Sequence, residues 1–153
     1  MPRYCKQQDQ FSCGPVALLN AMKWAGKRVS YGDLPALRLA CKCVPSTGTV
    51  ASNLARASRQ LIDSHTIKHI HRPSLKLLNN HLEIGSFILN YGFLYHGEPH
   101  GHYIFCFKGP RGVCKAVNYD LGHSPYIIKQ STLKDLLGFQ VVYDNWPNTI
   151  LIN

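Results

Sequence analysis

The chain has 153 residues, 45% of them hydrophobic and 16% charged, enough apolar material for one ordinary core, and it reads as a single domain over residues 1–153 with no linker. Its 17 basic and 8 acidic residues give a net charge of +9, but the basic residues are scattered rather than gathered into a run, so nucleic-acid binding is not expected. Residues 1–5 form no apolar signal segment and no run of about 18 apolar residues occurs, which argues against a membrane span and, with six cysteines to account for, for reduced thiols in a cytoplasmic setting.

The first predicted element is a helix opening at Cys13. Ser12 is a good N-cap, Pro15 lies in the first turn where no backbone N–H is needed, and Val16, Leu19 and Met22 recur at helical spacing, with Leu18, Ala21 and Ala25 widening the stripe. Gly26 stands where a left-handed C-cap is expected. Cys13 therefore sits at the positive end of a buried helix, which favours thiolate, the nucleophilic form. Gln7 lies six residues earlier, and its side-chain amide can join the Cys13 N–H as an oxyanion site; Gln8 and Gln10 compete for that role.

Ser30 and Asp33 have the spacing of a capping box opening a second helix to about residue 40, with Pro35 inside it. A loop over 44–48 leads to a third helix at 49–61 carrying Val50, Leu54, Ala57 and Leu61 on one side. Residues 64–71 alternate as an edge strand with His65, His69 and His71 on one face. Lacking an acidic or cysteine partner nearby, these histidines read as a mixed strand face rather than a metal site. A short helix over 74–82 and a strand over 86–94 follow, then a turn-rich loop over 95–101 that holds His96 and His100.

His102 begins a strong β run that turns through residues 108–112 into a strand over 113–118. A histidine at the mouth of one strand and an amide near the end of its neighbour can lie side by side, about 5 Å apart at Cα. Asn118 would then orient the imidazole, with Asp120, two residues on and facing the same way in an extended strand, as the alternative. A short strand over 125–129, a helix from Ser131 to about 137, a strand over 140–143 and a tail over 146–153 complete the chain. Trp24 and Trp146 read as packing residues. Cys41, Cys43, Cys106 and Cys114 are spaced poorly for zinc and read as ordinary thiols. Helices first and antiparallel hairpins after argue an α+β fold, its N-terminal helices packed on a mostly antiparallel C-terminal sheet.

Gln-x5-Cys-Gly-Pro entering an apolar helix, with a later Gly-His-Tyr-Ile-Phe strand start and an amide or acid beyond it, resembles the papain-like cysteine peptidases. Among them it is most similar to the bacteriocin-processing family, peptidase domains often fused to ABC transporters that cut leader peptides after a double glycine. The resemblance implies a Cys13, His102, Asn118 triad, with Gln7 in the oxyanion hole and no metal or organic cofactor. This family usually has an aspartate at the third position, and papain uses asparagine. The implied substrate is a peptide or protein with small residues beside the scissile bond. These 153 residues hold no transporter segment, so any export would fall to a separate transporter or host protein. Two other readings use the same features: a deamidase or acyl transferase with the same triad, and a non-catalytic basic module binding a peptide or nucleic acid.

Overall fold

The structure is a computed structural model that describes residues 2–119, 125–139 and 146–153. Helix α1 (Cys13–Trp24) is buried from Gly14 to Met22, as its apolar composition requires. It ends in a Schellman motif: the Lys27 N–H donates to Met22 O, the Gly26 N–H to Lys23 O, and Gly26 takes φ of +85°. The segment at Ser30 begins as a 3-10 turn over Tyr31–Asp33, the Ser30 N–H donating to Asp33 Oδ2 at 2.8 Å, and continues as α2 (Leu34–Ala40). Helix α3 (Ala51–Leu61) packs Leu54, Ala55, Ala57 and Ser58 inward.

Six strands among the described residues form one antiparallel sheet in the order β1-β6-β2-β3-β4-β5. They are β1 (Ile67–His71), β2 (Ser86–Tyr95), β3 (Glu98–Lys108), β4 (Cys114–Val117), β5 (Tyr126–Ile127) and β6 (Asn148–Ile152). The expected C-terminal tail is therefore in part a central strand. Asn148, Thr149, Ile150, Leu151 and Ile152 are buried throughout and pair with β1 on one side and β2 on the other. A short β-branched, apolar run bonded along both edges is more stable as a strand than in solvent. The strand expected over 140–143 lies outside the described residues.

The expected loop over 95–101 is also a correction. Glu98–Gly101 belong to β3, which pairs with β2 as far as Tyr95↔Glu98. His96 and Gly97, with φ of +51° and +77°, make a two-residue turn of the kind that fits strand twist. The tip projects beyond the sheet, leaving Phe93, Leu94 and Tyr95 exposed, so its residues lack the inward-facing alternation by which a strand is read.

Helices cover both faces of the sheet. On one, α1 and α3 pack on Ile88, Tyr103, Phe105, Phe107, Val117, Ile150 and Ile152. On the other, α4 (Leu75–His81, capped by Ser74 Oγ) and α5 (Gln130–Gly138) cover Phe87, Leu89, Tyr91, Ile104, Cys106, Ala116 and Leu151. Alternate residues of β3 thus enter different cores, as a pleated strand buried on both faces demands. Each fully buried Leu, Ile or Phe contributes about 1.5–3 kcal/mol to this arrangement.

Candidate active site

Cys13 is the first residue of α1, and the loop before it is locked by polar contacts. Asp9 Oδ1 accepts from the N–H groups of Phe11 (2.9 Å) and Ser12 (2.8 Å), and Oδ2 accepts from the Ser12 hydroxyl (2.8 Å) and Arg38 Nη2 (2.6 Å). Arg38 Nε donates to Ser12 Oγ at 2.8 Å, and its guanidinium lies over the Phe11 ring. Burial works against a charged Asp9, but the Phe11 and Ser12 donors and Arg38 outweigh it and hold the carboxyl below its usual range. Ser12 therefore does not cap the helix with its side chain, contrary to expectation; its hydroxyl is engaged by Asp9 and Arg38. Behind Cys13, a Cβ on Gly14 would stand 2.9 Å from Thr49 Cβ, so the helix head can seat against Thr49 only without a side chain there.

Burial is the largest influence on Cys13 and pushes its thiol up; N–H groups of Tyr103, Gly14 and Cys13 itself pull the other way, and nearby Cys43 raises it further. The lowered pKa expected from the helix terminus is thus overturned, because desolvation of the thiolate exceeds the gain from those donors. His102 is pushed down, again by burial first, with the Asn118 carbonyl opposing. Both groups are held toward their neutral forms.

His102 Nε2 donates to the main-chain carbonyl of Asn118 at 2.8 Å, which fixes the tautomer and leaves Nδ1 as the basic nitrogen. Its ring meets Tyr91 edge-on at 5.7 Å. Asn118 ends the ladder with φ of +69°, and its Oδ1 accepts the Gln7 N–H at 3.0 Å. Gln7, Asn118 and His102 thus form one hydrogen-bonded chain. The Gln7 side chain donates one amide N–H to Asp9 O at 2.6 Å, leaving the second. Asn118 reaches the imidazole through its backbone rather than its carboxamide. Asp120 lies outside the described residues.

The histidine and the thiol are not hydrogen-bonded to each other. Cys13 packs on the α1 face of the sheet near the Tyr103 N–H, whereas the neighbouring His102 ring meets Tyr91 on the other face. A cleft of about 260 Å³ opens at Cys13, walled by Phe11, Thr49, Asn90, Tyr103 and Trp146. His100 and Gln10 also line it, so His100, taken for a loop residue, stands on a strand beside the cleft. His96 is in the exposed turn, and the Gln8 N–H donates to Tyr31 Oη at 3.2 Å. Asn90 and Thr49 escaped notice in the sequence, although a lone amide inside the run Phe87-Ile88-Leu89-Asn90-Tyr91 is a signal in itself.

The remaining polar clusters have structural roles. His69 Nε2 meets Asn148 Oδ1 at 3.1 Å and its ring lies 4.7 Å from that of His71. Cys106 and Cys114 stand together in the second core. All six cysteines are free thiols. Among the described residues no group of three or more His, Cys, Asp or Glu could hold a metal ion, and no helix is long and apolar enough to cross a membrane.

Layered helices on an antiparallel sheet, with a cysteine at the head of the central helix, define the C39-type, papain-like peptidase fold. Solved structures share it along nearly the whole chain. The peptidase domain of Streptococcus ComA, a bifunctional ABC transporter involved in quorum sensing, superposes with a TM-score of 0.69 at 16% identity, covering 98% of each chain. A double-glycine-motif protease from an AMS/PCAT transporter, solved with a leader peptide, gives 0.68 at 14% identity over 99% of this chain and 91% of that one. A putative C39-like peptidase from Bacillus anthracis gives 0.65 at 9% identity over 99% and 94%. No protein-family model matches the sequence, and no curated protein matches it.

Proposed function

We propose that the chain is a cysteine peptidase acting on peptide or protein substrates with small residues beside the scissile bond. The observation that carries this is Cys13 at the head of the buried central helix, opening on a cleft in a fold shared with the ComA peptidase domain and with a double-glycine-motif protease solved with a leader peptide. Cys13 and His102 rest neutral. His102, the histidine of the resemblance, takes the thiol proton at Nδ1 while sulfur attacks the carbonyl carbon, a step for which it has to be brought from the Tyr91 face of the sheet to Cys13. The Cys13 N–H and the free N–H of Gln7 hold the oxyanion, His102 protonates the leaving amine, and water then hydrolyses the thioester. Asn118 keeps the ring in the Nε2–H tautomer. No step calls for a cofactor. A transporter bearing the substrate is the fitting partner, by analogy with the AMS/PCAT protease and its leader peptide.

His100 is the rival base, because it lines the cleft with Cys13. The test is a set of Gly-Gly-containing peptides incubated with the parent, Cys13→Ala, His102→Ala and His100→Ala and read by mass spectrometry. Cleavage in the parent is expected, with a loss of roughly a thousandfold or more in Cys13→Ala and a much larger loss in His102→Ala than in His100→Ala. The reverse order of the histidines would transfer the base to His100. Cleavage that survives Cys13→Ala would remove the peptidase reading. A side-chain amide converted to acid without chain scission would make the protein a deamidase.

A further inference from the structure

Resting on the peptidase reading, we infer that Asn90 is a substrate-binding residue that grips the main chain of an extended peptide next to the scissile bond. It sits on β2, directly opposite Tyr103 of β3, the residue whose N–H faces Cys13 Sγ. Only 6% exposed as a residue, it lines the cleft, where its carboxamide is placed to meet a ligand. A buried polar group without a partner costs stability and calls for a reason, and the cleft wall facing Asn90 holds one. Thr49 Oγ1, on that wall, is buried without a partner.

The chemistry of the two groups selects the ligand. A carboxamide offers one acceptor and two donors on a short planar unit, which matches a peptide group presenting its own N–H and C=O. It therefore reads backbone and ignores side chains. Side chains are limited by the opposite means. Gly92 and Gly101 face each other across β2 and β3, and a Cβ at either would run into the Trp146 indole. The absent side chains let Trp146 lie low against the hairpin and narrow the cleft beside Asn90. Main-chain recognition next to an aromatic wall suits small residues whose backbone is accessible, glycine above all.

The test compares Cys13 labelling by acetyl-Gly-Gly-chloromethyl ketone, by the same reagent with its inner amide replaced by an ester, and by iodoacetamide. In the parent the amide reagent is expected to outpace the ester reagent, and Asn90→Ala to lose about tenfold toward the amide reagent while iodoacetamide labelling stays unchanged. The variant should also no longer distinguish amide from ester, a readout that a purely structural Asn90 would not move. Asn90→Ser, smaller but polar, gives the same comparison if Asn90→Ala folds poorly. A parent that favours the peptide reagent, with variants that favour it equally, overturns this inference and leaves the peptidase reading standing. A parent with no such preference over iodoacetamide overturns both.

Discussion

The N–H groups of Gly14, Tyr103 and Cys13 itself all favour a thiolate at Cys13, yet burial outweighs them and the thiol is held above its ordinary value. Iodoacetamide labelling of Cys13 is therefore expected to climb with pH past the usual thiol pKa of about 8.5. A plateau below neutrality that disappears in His102→Ala would instead establish a resting ion pair. Position 118 offers a second test. Asn118 meets His102 with its main-chain carbonyl and holds φ of +69°, a conformation glycine adopts freely. Asn118→Gly keeps both and removes only the carboxamide, so kcat/KM should fall less than about tenfold, the worth of one hydrogen bond. A collapse of kcat in peptide cleavage would give the orienting role to the carboxamide. The candidate residues stand out in the sequence because Gln-x5-Cys-Gly-Pro and His-Tyr-Ile-Phe are local patterns. Their protonation does not, because desolvation depends on what other segments lay over Cys13.

Helix α1 could be read almost to its ends, because its caps and its period are local. Its anchoring could not: Arg38 comes from α2, 29 residues beyond Asp9, and ties two elements through Asp9 and Ser12. Arg38→Ala leaves a half-buried carboxylate without its cation, and the expected cost in urea unfolding is about 1–2 kcal/mol, after allowance for partial solvent screening. No change in midpoint would mean that Asp9 is served by its backbone donors alone. The β2–β3 hairpin was hidden for a different reason. Its tip has no core beneath it, so Glu98 to Gly101 lack the alternation by which β3 is recognisable from His102 onward.

The sheet as a whole ties the chain's last residues into its centre, with β6 lying between β1 and β2. Periodicity could not place that strand, because a short apolar run looks the same at an edge, in a tail or in a core. Burial on both faces also gives the fold an acid-side weakness. His102 and His69 are both held below the ordinary imidazole value of 6.5, each chiefly by burial. Above that value neither state binds the proton. As pH falls through it the unfolded chain protonates first and the folded form loses ground. The melting temperature should therefore drop from pH 7 to pH 5, and His102→Gln should flatten part of that slope. A profile unchanged by the substitution would place the acid-sensitive group elsewhere.

The indole that lies over Gly92 and Gly101 also gives the protein an optical reporter. There are only two tryptophans, and Trp24, on α1, lies tilted against His65 with ring centroids 5.6 Å apart, whereas Trp146 lines the cleft. Trp24→Phe leaves a single fluorophore at the cleft. Its emission should shift toward the blue when a peptide excludes water from that wall, so occupancy could be titrated in Cys13→Ala with no turnover at all. Emission that stays constant while the peptide binds would mean that ligand lies away from the indole.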